Sequence, residues 1–285
     1  KGVHMTIAAA WVRTLKKSEE LIVVSDSRLN GGGMRMDCGQ KVHSLPRSDA
    51  FICFAGNTMW AYPLIHQVIS AISTYDRSAS RAQDIVELKT HVLKVFESLR
   101  GQIADAIPGD ENPDAEFIFG GYSWKNRKFM IWHIYYQPKM KAFEAHPAKE
   151  WKGKQWVLAG DAHQVQDADR RFRKILEDKK ARPHEVEDFK FDWEPGEAIC
   201  DMLKDAQKGM EFKTSSIGGA PQMLKVYEFL SSSHFAVKWQ NHDDSEPVSY
   251  VSGRKPLGFE TPDLWVFDPD TLTTSHPLYS SETEE

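Results

Sequence analysis

Three residues near the start of the chain carry groups that could do chemistry: the hydroxyl of Thr6, the carboxylate of Asp26 and the ammonium of Lys41. Each stands at one end of an apolar, β-rich run, with turn-like residues in between. Thr6-Ile7-Ala8-Ala9-Ala10 opens the first run, Leu21-Ile22-Val23-Val24-Ser25-Asp26 closes the second, and Lys41-Val42-His43-Ser44-Leu45 begins the third. A hydroxyl, a carboxylate and an ammonium at the ends of successive strands make a candidate site. Each also has a plain reading: a Thr opening a strand for its β-propensity, an Asp forming a turn, a Lys in solvent. Their order, with the elements behind them, decides between the two.

Other chemistry has weaker support. The eleven histidines include no pair at metal-ligand spacing on one helix, and His242-Asp243-Asp244 reads as a solvated turn. Gly31-Gly32-Gly33 lacks the following Lys and helix of a phosphate loop, so it reads as a flexible turn. Ser25 and Ser27 lack the strand-turn-helix setting of a nucleophile elbow. Cys38, Cys53 and Cys200 are odd in number and widely spaced, without zinc or redox pairing. Cys53 reads as a small core side chain, and the usage fits a reducing cytosol. No cofactor and no metal is expected.

The elements that must position these groups follow from hydrophobic period. Residues 6–12 and 21–25 read as a hairpin with a charged tip, 40–45 as a strand stopped by Pro46, and 51–54 as a buried strand ending at Ala55-Gly56. Asn57 or Thr58 can cap a helix over 58–73, whose stripe is Leu64, Ile65, Val68, Ile69 and Ile72. A polar linker leads to a second helix over 84–106. Three strands follow at 116–122, 128–136 and 141–146, then a fourth at 155–159. A helix opened by Gly160-Asp161 runs to about 180 with a solvated charged face, and another covers 195–209 with Pro195 in its first turn. Strands return at 222–229, 233–239, 248–251 and 264–267. Blocks of strands and helix pairs in this order predict an α+β layered fold.

The length of 285 residues predicts one large domain over 6–272, with 230–272 as its C-terminal extension and 273–285 as a loose tail. Residues 1–5 read as a leader or a cloning remnant ahead of a natural Met5. A net charge of -5 with interspersed signs gives no footprint for nucleic acid or an anionic membrane. No apolar run reaches the length of a membrane span, and a cytoplasmic location is expected.

The order of these pieces resembles a proteasome β-type subunit, of the N-terminal-nucleophile (Ntn) hydrolases. The resemblance covers residues 6–229. It rests on Thr6 opening the first strand, Ser25-Asp26-Ser27-Arg28 closing the second, Lys41-Val42 and Leu45 in the third, and Phe54-Ala55-Gly56 before the first helix. Fainter matches are Phe119-Gly120-Gly121, Ala159-Gly160-Asp161 and Ser216-Ile217-Gly218-Gly219-Ala220-Pro221.

The resemblance implies a four-layer αββα sandwich of two mostly antiparallel sheets between helix pairs. It also implies an N-terminal threonine peptidase acting on peptide or amide bonds. In it Thr6 is the nucleophile once the leader is removed, and its free α-amine, with a pKa of roughly 8, is the base. Lys41 lowers the hydroxyl and amine pKa values, Asp26 pairs with Lys41, and the amide of Gly56 is an oxyanion donor. The family's supporting hydroxyls and acid fall here on Ala159 or Asp161, on Thr214 and on Ile217, with Ser215 and Ser216 close by. The family forms rings, which implies a homo-oligomer, ringed or stacked, and leaves an ATPase partner open. A catalytically silent scaffold or regulatory subunit and a small-molecule amidase are the alternative readings.

Overall fold

The computed structural model describes residues 6–31, 34–103, 112–208 and 215–277. The amino-terminal hairpin is β1 (Ile7–Thr14) and β2 (Glu19–Ser25), followed by a small hairpin of β3 (Leu29–Gly31) and β4 (Met34–Met36). Next come β5 (Val42–Ser44), β6 (Ala50–Gly56), α1 (Thr58–Thr74), the single turn α2 (Asp76–Ala79) and α3 (Ile85–Arg100). The middle of the chain forms β7 (Ala115–Ser123), β8 (Lys128–Gln137), β9 (Ala142–Pro147), β10 (Lys149–Trp151) and β11 (Lys154–Gly160). Two helices follow, α4 (Ala162–Asp178) and α5 (Glu194–Ala206). The last strands are β12 (Gln222–Tyr227), β13 (Ser231–Trp239), β14 (Val248–Val251), β15 (Val266–Asp268) and β16 (Thr273–Ser275).

Among the described residues the strands form a large sheet, β10-β11-β1-β2-β12-β13-β15-β16 with β14 on β13, and a smaller one, β5-β6-β7-β8-β9. Pairing is antiparallel except between β13 and β15. The alternation of side chains along each strand then sorts the core. Ile7, Ala9 and Trp11 of β1, with Ile22 and Val24 of β2, pack with Phe172 and Leu176 of α4 and Ile199 and Leu203 of α5. Ile52, Phe54, Phe117 and Phe119 of the small sheet pack with Ile65 and Val68 of α1 and Leu88 and Val92 of α3. The opposite faces meet each other: Ala8, Ala10 and Val23 of the large sheet join Phe51, Cys53 and Ile118 of the small one. Strands buried on both faces read as continuous apolar runs, which is why Leu21–Val24 shows no polar alternation.

Several boundaries differ from the sequence reading. The helix expected over 84–106 stops at Arg100, where Gly101 takes the C-cap, and residues 104–111 lie outside the described residues. Asp84 caps its start, accepting from the Val86 amide at 3.1 Å. The strand expected over 222–229 stops at Tyr227, because Leu230 turns through φ 59° and Phe229 points into solvent. The polar linker holds α2. The strand at Thr273–Ser275 falls within the expected tail, pairing with β15, while residues 278–285 lie outside the described residues. No helix among the described residues is long and apolar enough to cross a membrane.

Candidate active site

The β1–β2 register, with Ala8 opposite Ser25, carries Asp26 alongside the start of β1. The Asp26 amide donates to the Ile7 carbonyl at 3.2 Å, and the Ile7 amide returns a bond to Asp26 Oδ1 at 3.3 Å. Lys41 arrives from the other sheet. It immediately precedes β5, and its carbonyl accepts from the Phe54 amide at 3.2 Å. Its side chain crosses the layer between the sheets, where Nζ donates to Thr6 Oγ1 and to Asp26 Oδ1, each at 2.8 Å. The hydroxyl, ammonium and carboxylate are thus one hydrogen-bonded series. Lys41 and Asp26 are fully buried and Thr6 is 3% exposed, so the solvated reading of Lys41 does not hold.

Burying two charges costs several kcal/mol per ion unless their remaining bonding capacity is met. Here it is met. Besides Lys41, Asp26 accepts from the Arg28 amide at 3.0 Å and the Gly218 amide at 3.4 Å. Burial pushes the Asp26 carboxyl above its ordinary range, against the Lys41 charge and the Arg28 and Ile7 amides that pull it down. An ammonium in contact with a hydroxyl favours the alkoxide over the alcohol, so the arrangement can activate an oxygen nucleophile.

The sequence reading missed the residue that ties the two halves of this series together. Gln222, at the start of β12 and fully buried, lies between the Asp26 turn and the segment leading into β5. Its Oε1 accepts from the Lys41 amide at 2.8 Å and the Val42 amide at 3.1 Å. Its Nε2 donates to the carbonyls of Gly39 at 2.7 Å and Asp26 at 3.1 Å. A glutamine opening a strand carries no local signal, since its partners lie some 180 residues away. Arg28 does similar work, with Nε and Nη2 on the two oxygens of Asp37 at 2.6 and 2.7 Å and Nη1 on the Ser215 carbonyl at 3.0 Å. A Cβ on Gly218 would lie 2.4 Å from Arg28 Cζ, so glycine is needed there.

The other candidates separate from the series. Gly56 ends β6 with φ 100°, and a Cβ there would lie 2.6 Å from the Asp114 carbonyl oxygen. It lines a polar cavity of about 270 Å³ with Glu116, Tyr135, Gly160 and Asp161, and takes no part in the Thr6–Lys41–Asp26 contacts. Asp161 stands at the N-cap position of α4, and its amide donates to the Thr6 carbonyl at 3.3 Å, which places this cavity beside the Thr6 backbone. Ala159 pairs with Ala8, and its methyl lies in the layer between the sheets. Ile217 is buried against α4 and α5. Ser216 Oγ accepts from Gln164 Nε2 at 2.7 Å and Ser215 Oγ donates to the Ile217 carbonyl at 3.0 Å, so both hydroxyls are engaged away from Thr6. Thr214 lies outside the described residues, as do Gly32 and Gly33. Ser25 Oγ donates to the Ile7 carbonyl at 3.2 Å and Ser27 Oγ to the Ala220 carbonyl, so both fasten backbone. Burial pushes the Cys53 thiol up to about 12, as befits a core side chain.

No family model and no curated protein matches the sequence. Among solved structures the chain is similar to Anbu (ancestral beta-subunit) from Yersinia bercovieri, at a TM-score of 0.53 and 12% identity, over 80% of this chain and 86% of that one. At this identity the likeness is one of fold, and the fold is proteasome-like.

Proposed function

We propose that the chain is an Ntn hydrolase that cleaves amide bonds, most simply those of peptides, with Thr6 as nucleophile. The observation that carries this reading is the buried series Thr6 Oγ1–Lys41 Nζ–Asp26 Oδ1, with both links at 2.8 Å. Three separate apolar clusters support a four-layer αββα sandwich, one between the sheets and one under each helix pair. Residues 6–272 form one domain in this reading, since β12 to β15 continue the sheet that holds β1 and β2.

In the proposed reaction residues 1–5 are removed and Thr6 gains a free α-amine. That amine takes the hydroxyl proton as Oγ1 attacks the substrate carbonyl, and then passes it to the departing amine. Lys41 stabilises negative charge on Oγ1, and Asp26 pairs with Lys41 and orients it. The Gly56 amide, beside the N-terminus of the 17-residue helix α1, is assigned to the oxyanion. Water then hydrolyses the acyl ester and restores Thr6. Oligomeric assembly is part of the proposal, on the strength of the fold likeness to a β-subunit.

The test uses protein processed to begin at Thr6. It is expected to hydrolyse a panel of fluorogenic peptides and amides, to lose that activity on Thr6→Ala, and to form a mass-detectable adduct with a peptide epoxyketone. No adduct on processed protein would sink the enzymatic reading. A silent scaffold would then be favoured, consistent with Ala159 and with the engagement of Ser215 and Ser216 elsewhere. Turnover of simple amides without turnover of peptides would select the small-molecule amidase.

A further inference from the structure

Three turns that are distant in sequence meet at the far end of β5 from Lys41: the β5–β6 turn, the α2–α3 loop and the β12–β13 turn. Three residues there, Ser48, Arg81 and Leu230, adopt left-handed backbone conformations with φ of 60°, 63° and 59°. Such conformations are uncommon outside glycine and mark places where other contacts hold the backbone in a chosen form. The same three residues are bonded together, since the Leu230 carbonyl accepts from Ser48 Oγ at 3.1 Å and from Arg81 Nη1 at 2.9 Å.

Between them lies an open cavity of about 510 Å³ whose polar lining is Ser44, Ser48, Ser80, Ser232, Arg47 and Arg81, with no acidic side chain. The Arg47 guanidinium is fully buried. It gives Nε and Nη2 to Asp49 at 2.6 and 2.9 Å and Nη1 to the Ser78 carbonyl at 3.2 Å, which uses three of its five N–H donors. Arg81 gives one donor to Leu230 and has no carboxylate partner among the described residues. The hydroxyls of Ser44 and Ser232 make no hydrogen bond among the described residues. The Ser48 and Ser80 hydroxyls already donate, to the Leu230 and Asp76 carbonyls, so the donors left to the cavity are the remaining N–H groups of Arg81, whose positive charge no neighbouring acid cancels, and the hydroxyls of Ser44 and Ser232.

We propose that this junction is a binding site for a tetrahedral oxyanion, either inorganic phosphate or the phosphoryl group of a small molecule. The guanidinium of Arg81 and the two hydroxyls match the geometry and charge of phosphate oxygens. The site is independent of the hydrolase reading. Ser44 lies at the opposite end of β5 from Lys41, about 10 Å along a strand.

The experiment is calorimetric titration of the full chain with inorganic phosphate, at ionic strength held constant with chloride so that general screening cancels. Saturable one-to-one binding is expected, together with a rise of about 2–5 °C in thermal midpoint at a hundredfold excess over Kd. Arg81→Gln should weaken binding at least tenfold, and its phosphate-induced rise, read against the variant's own phosphate-free midpoint, should shrink accordingly. Ser44→Asp, at an exposed strand end that tolerates polar residues, should abolish it by placing a carboxylate in the cavity. O-phosphoserine provides a second arm: tighter binding than phosphate assigns the site to an organic phosphate, and equal binding to the free ion. Absence of saturable binding, or wild-type affinity in both variants, would overturn the proposal.

Discussion

Lys41 is held in place by the charges it satisfies, and its removal shows how the pair is balanced. Lys41→Met leaves the buried Asp26 carboxyl without its counter-charge, which should cost about 3–5 kcal/mol near neutral pH. Burial already raises the Asp26 pKa, and losing the Lys41 charge raises it further. A carboxyl whose folded pKa exceeds its unfolded value near 3.8 contributes stability at low pH and loses it as pH rises through the folded value. The deficit of Lys41→Met against the parent should therefore shrink as pH falls from 7.5 to 5. Urea unfolding at the two pH values measures this, and an equal deficit at both would show that Asp26 does not titrate in the variant. The residues of this pair were legible in the sequence because each sits at a strand end in chain order. Gln222 was not, because its five hydrogen bonds reach only distant backbone and a neighbouring hydroxyl.

Strand β5 has only three residues, yet it links the proposed nucleophile site to the cavity at Ser44. Its central residue, His43, is 9% exposed, stacks on Phe54 with centroids 6.5 Å apart and meets the edge of Tyr62 at 6.4 Å. Its Nε2 is buried without a hydrogen-bond partner among the described residues, and burial lowers its pKa from 6.5 to about 4. Between those values the unfolded chain takes up a proton that the folded chain refuses. Stability therefore falls as pH drops through this window and is unaffected by His43 above it. The expected loss between pH 7 and 4.5 is about 2–3 kcal/mol. His43→Leu should remove that share of the acid limb, as read by urea unfolding at the two pH values; an unchanged limb would mean His43 is protonated in the fold. Element types were readable where apolar periods were long, as in α1, α3 and β6 to β8. The β3–β4 hairpin escaped because Met34 and Met36 are exposed and no buried face marks their alternation. Strand β10 escaped because Lys149, Glu150 and Trp151 gain strand form only by pairing with β11.

Across the whole molecule, the C-terminal extension returns to the place where the chain began. After β14 it passes Gly253, whose φ is 85° and whose Cβ, if present, would lie 2.5 Å from Ser27 Oγ and 2.8 Å from Ser27 Cβ. Ser27 is itself a junction: its amide donates to the Gly218 carbonyl at 2.9 Å and its carbonyl accepts from the Gly39 amide at 2.9 Å. The extension therefore backs the turn that carries Asp26, a contact invisible in sequence because a glycine after a strand reads as an ordinary turn. Gly253→Ala should cost about 2–4 kcal/mol, roughly 1–2 for the left-handed backbone and the rest for overpacking against Ser27. Ser27→Gly removes the atoms that the added methyl group would strike, so in that background the same substitution should cost only the backbone share. A double-mutant cycle by urea unfolding measures the difference, expected at about 1–2 kcal/mol. If the two substitutions add without coupling, Gly253 is required by its backbone angle alone, and the extension lies beside the Asp26 turn without bracing it.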